Sequence, residues 1–302
     1  MLFAGRYSRN MKLPSTLCLL VGCASSSKEP LPASPADTQS ASETACNGHD
    51  ALCDRPLSQV TLPGTHNSMS NADAGWLGAN QQHGLTRQLE DGVRGMMLDT
   101  YLWEGELWLC HAVCELGSQP LHEGLTELSD FLDANPREVI QIIFQDAISI
   151  EDTRGALEDA GLADRLYTWD AGADPTLRQL IDAGTPLVVG LESGNSDDQG
   201  LHAAWDLFVD TPYSFTEISD FSCELNRGDA DNPLFLMNHW IGDPLPSADN
   251  SLEANTADVL ETRARDCVEA FGRPINFLGV DFYDQGDLFA VVDRLNGVDG
   301  DP

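Results

Sequence analysis

Short apolar runs rich in β-forming residues recur along the chain, at residues 57–63, 93–101, 107–111, 139–145, 186–192, 205–209, 234–238 and 275–282. Several begin just after Gly or Pro, residues that break the preceding element. Between them apolar positions fall at helical spacing over 121–134, where Leu125, Leu128, Phe131 and Leu132 share a face, and over 150–160, 177–183, 251–271 and 286–295. Continuous apolar strands alternating with amphipathic helices predict a parallel sheet covered on both faces. Eight such strands fit a closed α/β barrel, although the first two connections carry no convincing long helix.

The first 45 residues do not share this pattern. Arg6, Arg9 and Lys12 precede an apolar stretch, residues 17–22, that is too short to span a bilayer and ends in Leu20-Val21-Gly22-Cys23. That ending resembles a bacterial lipobox, which implies cleavage before Cys23, lipid on its thiol, and an exported lipoprotein anchored to a membrane and facing the periplasm or the cell exterior. The competing reading is an ordinary signal peptide with an incidental cysteine. Residues 23–45 are rich in Ser, Ala, Pro and acids and read as a flexible tether, so the expected organisation is leader 1–22, tether 23–45 and one domain over 46–302.

Composition narrows the partners. The chain has 302 residues, 42% of them hydrophobic, enough for one barrel-sized domain, expected to be a monomer. Its net charge of −33 argues against nucleic acid and against electrostatic docking on anionic lipid. Membrane attachment is therefore expected through acyl chains on Cys23. Once Cys18 and Cys23 are set aside, Cys46, Cys53, Cys110, Cys114, Cys223 and Cys267 remain, an even number that suits an oxidising compartment. Local pairing suggests Cys46–Cys53, Cys110–Cys114 and Cys223–Cys267, with 15 connectivities open in principle. A zinc site is the rival, but Cys-x3-Cys has no second half at metal spacing.

The chemistry-bearing residues gather at predicted strand ends, where barrel enzymes place their sites. His66, Asp99, His111, Gln145, Asp146, Glu192, His239 and Asp281 all lie at or just past such ends. Two imidazoles facing one cleft suit phosphodiester cleavage, because a neutral His can take a proton from the attacking hydroxyl while a protonated one gives a proton to the leaving oxygen. Asp281 or another acid is expected to orient the far nitrogen of His66. Glu192 and Asp281 could equally cap a helix or pair with an Arg, and His239 could equally be a hydrogen-bonded structural residue. His49, His83, His122 and His202 fall in loops or helices and read as structural or solvated.

The segments PGTHNS at 63–68, GVRGMMLD at 92–99, LCH at 109–111, DANPREVI at 133–140 and NFLGVDFY at 276–283, with Gly286-Asp287 beyond, resemble the X domain of phosphatidylinositol-specific phospholipase C. The likeness is greatest to the bacterial and fungal branch of PLC-like phosphodiesterases, and it covers roughly residues 50 to 297. It implies an irregular TIM-like (β/α)8 barrel, a phospholipid or head-group phosphodiester as substrate, no organic cofactor, His66 as general base and His111 as general acid. The resemblance also allows Arg94 to contact phosphate, and Glu192 and His239 are kept as substrate-binding candidates. Strand alternation, however, puts Arg94 with Met96 and Leu98 on the face opposite Asp99.

The departures from the family pattern concern the metal. Calcium-dependent X domains carry Glu-x-Asp at this strand end and metal-independent bacterial enzymes Asp-x-Arg, whereas this chain reads Met97-Leu98-Asp99. Asn67 and Asp99 match two calcium-ligand positions. Asp146 is the further ligand expected, with Gln145, Glu192 and waters as additional candidates for a site needing six to eight oxygens. A divalent ion would offset phosphate charge in so acidic a protein. Two other readings stand beside the leading one. A glycerophosphodiester phosphodiesterase shares the barrel and paired-His logic but lacks its usual His-Arg-Gly and Glu-x-Asp here, and a catalytically silent lipid-binding lipoprotein is suggested by Met97.

Overall fold

The computed structural model describes residues 44–170, 172–242 and 245–300. The expected leader, Cys23 and nearly all of the tether lie outside these residues.

In chain order the strands are β1 (Leu62–Thr65), β2 (Gly95–Trp103), β3 (Glu106–Cys110), β4 (Ser118–Pro120), β5 (Ile140–Ala147), β6 (Leu187–Leu191), β7 (Leu201–Ala203), β8 (Phe208–Asp210), β9 (Leu234–His239) and β10 (Phe277–Val280). The helices are α1 (Leu85–Asp91), α2 (Leu121–Ala134), α3 (Ile150–Asp159), α4 (Leu177–Ala183), α5 (Ala204–Leu207), α6 (Ala248–Ala254), α7 (Ala257–Phe271) and α8 (Leu288–Asn296). The hydrogen-bonded order β7-β6-β5-β2-β1-β10-β9-β8 is parallel throughout. Its two ends, β7 and β8, are consecutive in the chain and joined by the single turn of α5, which is the irregularity of an otherwise TIM-like barrel. Strands β6, β9 and β10 are buried at every position, as expected of strands covered on both faces.

The expected stave at 107–111 is instead the return arm of a hairpin. Glu104 and Gly105 both take positive φ, 52° and 86°, so the chain reverses in two residues and β3 runs antiparallel to β2. The missing stave is β7, three residues long and too short to show a period. The run at 205–209 divides into α5 and β8, and that at 57–63 opens with a 3-10 turn at Leu57–Gln59 before β1 begins. Helix α1 fills the first connection and stops at Gly92, whose φ of 111° is a left-handed cap. Helices α2 and α4 match their predicted bounds, whereas 251–271 breaks at Asn255 into α6 and α7.

The barrel interior is closed by the Phe277 ring, and two glycines make room for it. A Cβ on Gly64 would lie 2.1 Å from that ring, and one on Gly95 2.9 Å. Gly64 of the PGTHNS segment thus serves close packing directly beneath His66. The three disulfides are those suggested by local pairing, Cys46–Cys53, Cys110–Cys114 and Cys223–Cys267.

Candidate active site

His66 follows β1 and is fixed from its backbone outward. Its N–H donates to the Val280 carbonyl at 2.9 Å, and Gln81 Nε2 donates to the carbonyls of His66 and Val280, so the ends of β1 and β10 move as one. Asn67 next takes a left-handed φ of 45°, and Ser68 hydrogen-bonds Thr65 and the Met97 N–H, which turns the chain sharply off the strand. Phe282 does the same after β10 with φ of 43°. Non-glycine residues held in this region mark over-determined backbone at a site.

The side chains converge on these turns. His66 Nδ1 lies 2.9 Å from Asp281 Oδ1; the carboxylate is an acceptor, so Nδ1 carries the proton and Nε2 is left for a substrate. Asn80 Nδ2 donates to the same oxygen at 3.1 Å, and Asn255 Nδ2 holds the Asp281 carbonyl. The indole of Trp240 stacks on the His66 ring at 3.8 Å and 6°. His111 arrives from the opposite direction. Because β3 runs back along β2 with Leu109 opposite Thr100, its end brings His111 down to the level of Asp99. There Asn67 Nδ2 donates to His111 Nε2 at 3.2 Å. Burial and the nearby His66 push the His111 pKa below its ordinary value, against the opposing pull of Asp281.

His66, Asn67, Asp99, Glu192, Arg227 and Trp240 line one polar pocket of about 120 Å³. Asp99 is 4% exposed, and burial raises its pKa to about 7, with Glu192 adding to the rise and His66 opposing it. Burial also lifts Glu192 above the usual carboxylate range, against the pull of Arg227. Arg227 went unnoticed in the sequence, being a lone cation in the aperiodic loop after β8. The fully buried Asp210 accepts its Nε and Nη2 at 2.9 and 2.6 Å, the Trp205 ring lies 3.7 Å from its Cζ, and Nη1 reaches Glu192 at 3.0 Å.

Three expected site residues lie elsewhere. Arg94 precedes β2, at the other end of the barrel from His66, where it bonds Glu138 at 2.6 Å and the carbonyls of Leu89 and Val93 over the Phe131 ring. His239 is fully buried: Nε2 donates to the Ala254 carbonyl at 2.9 Å and Nδ1 accepts from Arg263 at 3.2 Å. Both are structural, as their strand positions dictate: Arg94 comes before its strand, and the His239 ring turns toward α6 and α7. Asp146 does not line the pocket, and its Oδ1 accepts the Ser193 N–H at 2.8 Å. Glu192 takes its place among the pocket oxygens beside Asn67 and Asp99, and among the described residues there is no group of three or more His, Cys, Asp or Glu that could hold a metal ion.

A family model described as PI-PLC X 1 matches residues 52–296. The chain belongs to the PI-PLC X family. It is 31% identical over 272 residues to a PI-PLC X domain-containing protein of Arabidopsis thaliana, covering 80% of this chain and 63% of that protein. It is 28% identical over 285 residues to an uncharacterized secreted protein of Arthroderma benhamiae, covering 84% of this chain and 64% of the relative. The chain thus spans slightly less than two thirds of either relative's length. Among solved structures, a double mutant of the phosphatidylinositol-specific phospholipase C from Staphylococcus aureus superposes with a TM-score of 0.56 at 14% identity, covering 82% of this chain and 95% of that one. That likeness concerns the fold.

Proposed function

We propose that this PI-PLC X domain is a phosphodiesterase that cleaves a phospholipid, or its head-group phosphodiester, by paired histidine acid–base catalysis. The observation that supports the reading is that His111, though not itself in the pocket lining, comes within 3.2 Å of Asn67, the pocket residue that directly follows His66. His66 Nε2 takes the proton of the attacking hydroxyl as its oxygen bonds phosphorus, and Asp281 stabilises the imidazolium that forms. The bond from phosphorus to the leaving alcohol then breaks, and protonated His111 supplies the proton to that oxygen. The depressed pKa of His111 makes it a readier donor but leaves it protonated less often, which moves the alkaline limb of the rate profile, where the general acid is lost, to lower pH.

Asn67, Asp99 and Glu192 would hold calcium, which when bound supplies positive charge against the phosphoryl oxygens. On an inositol lipid the attacking group is the hydroxyl neighbouring the phosphorylated carbon, held close enough to react without a bound water. The first product is then a cyclic phosphate, opened only slowly. The lipobox-like residues 20–23 and the secreted Arthroderma relative support export, with lipid on Cys23 holding the domain at a membrane.

Phosphorus NMR of an inositol-lipid digest, with calcium and with EDTA, tests this reading. A cyclic phosphate should appear first and EDTA should slow its formation. A linear phosphate from the outset would refute the intramolecular route, and no turnover of inositol lipid or of simpler phosphodiesters would refute the enzyme.

A further inference from the structure

His111 stands inside a covalent ring. Strand β3 ends at Cys110, His111 and Ala112 turn away from the sheet, and Cys114 returns to bond Cys110 across only four positions. Ala112 sits at a left-handed φ of 59°, and the Val113 N–H donates to the His111 carbonyl at 2.6 Å. Both feet of the ring are anchored. Cys110 pairs with Ser118 in the sheet, while beyond Cys114 the Leu116 carbonyl accepts the Leu77 N–H and Gly117 lies against Trp76, where a Cβ would come within 2.3 Å of the indole. Among the described residues the His111 side chain has Asn67 as its one hydrogen-bonding neighbour. The imidazole is therefore aimed mainly by its backbone, and the ring aims the backbone.

We infer that Cys110 and Cys114 are positioning residues for proton donation by His111, so that cleavage of diesters with poor leaving groups depends on this disulfide. The inference rests on the acid role proposed for His111. Two features set the bond apart from a general staple. Sequence separations are 4 here, 7 for Cys46–Cys53 and 44 for Cys223–Cys267, so this bond restrains the unfolded chain least. It is also the bond that encloses the proposed general acid, the histidine that hydrogen-bonds the pocket residue Asn67. Opening it releases the strained turn at Ala112 and lets His111 drift from the leaving oxygen, while His66, Asp281 and the pocket walls keep their own supports.

The test pairs a Cys110→Ala/Cys114→Ala variant with two substrates under identical calcium. One is a dialkyl-type phosphodiester whose alcohol needs a proton to leave; the other carries p-nitrophenol, which departs without one. The expected result is a kcat lower by about ten- to a hundredfold on the first and nearly unchanged on the second, a partial loss beside the roughly hundred- to ten-thousandfold effect of removing a general acid outright. A Cys46→Ala/Cys53→Ala variant should leave the ratio of the two activities as in the parent. Equal losses on both substrates would mean that the ring shapes the pocket rather than the proton donor. Unchanged activity on both would mean that the ring is idle. Either result overturns the inference while leaving the phosphodiesterase reading standing, whereas a parent inactive on both substrates overturns that reading and this inference with it.

Discussion

Asp281 Oδ1 meets His66 Nδ1 at 2.9 Å, while the other oxygen of that carboxylate is buried without a hydrogen-bond partner among the described residues. Asn80 donates to the same Oδ1, so the acid is held in place and in turn holds the imidazole. The pair therefore fixes the tautomer and aim of His66, with Nε2 left for the substrate. Replacing Asp281 with Asn keeps the shape and removes the charge. Steady-state kinetics of Asp281→Asn should show kcat down by about a hundredfold with KM little changed.

The buried His239 makes stability pH-dependent. Burial and the adjacent Arg263 lower its pKa from 6.5 to about 3, so between these values the unfolded chain binds a proton that the native state refuses. Stability from this group is complete above pH 6.5 and is lost as pH falls toward 3. From pH 7 to pH 5 the loss amounts to about 2 kcal/mol. Urea unfolding at the two pH values should show a drop smaller by about that amount in His239→Gln than in the parent. An equal drop in both would mean that His239 titrates normally.

Arg94 should prove structural. Arg94→Met removes its bonds to Glu138 and two backbone carbonyls while keeping bulk over Phe131. The expectation is a loss of about 1–3 kcal/mol in unfolding free energy with kcat/KM essentially unchanged, since the residue lies away from the pocket. A large loss of activity in a variant that remains folded would return Arg94 to the phosphate.

How the sequence ran short is visible in particular elements. Helices α2 and α4 were legible because each carries an uninterrupted apolar face, and α4 opens with a Thr176–Gln179 capping box. The run at 107–111 was read as a stave because ELWLC is as apolar as one, although the Glu104-Gly105 pair before it carried the hairpin signal. The break between α6 and α7 left no mark in the periodicity. Its cause is tertiary: Asn255 is 1% exposed and turns its amide toward the backbone of Asp281 and Phe282, and Gly286 lies against it. His66, His111, Asp99 and Asp281 were legible because strand ends can be read from composition. Asn80 and Arg227 were not, since both reach the site from loops that carry no period.

Calcium should register as stability before it registers as rate. At a concentration about a hundredfold above Kd, a ligand bound only by the native state adds about 2.7 kcal/mol. Thermal melts should rise with calcium in the parent and not in Asp99→Asn or Glu192→Gln. An equal rise in all three would place the ion elsewhere.

The pairing of His66 with His111 is the claim on which the rest stands. Its most direct measurement is turnover of a phosphodiester substrate by the parent and by His66→Ala and His111→Ala, with circular dichroism confirming that all three are folded. The account predicts a parent that cleaves the diester and single variants each slower by at least about a hundredfold. Variants as active as the parent would contradict it.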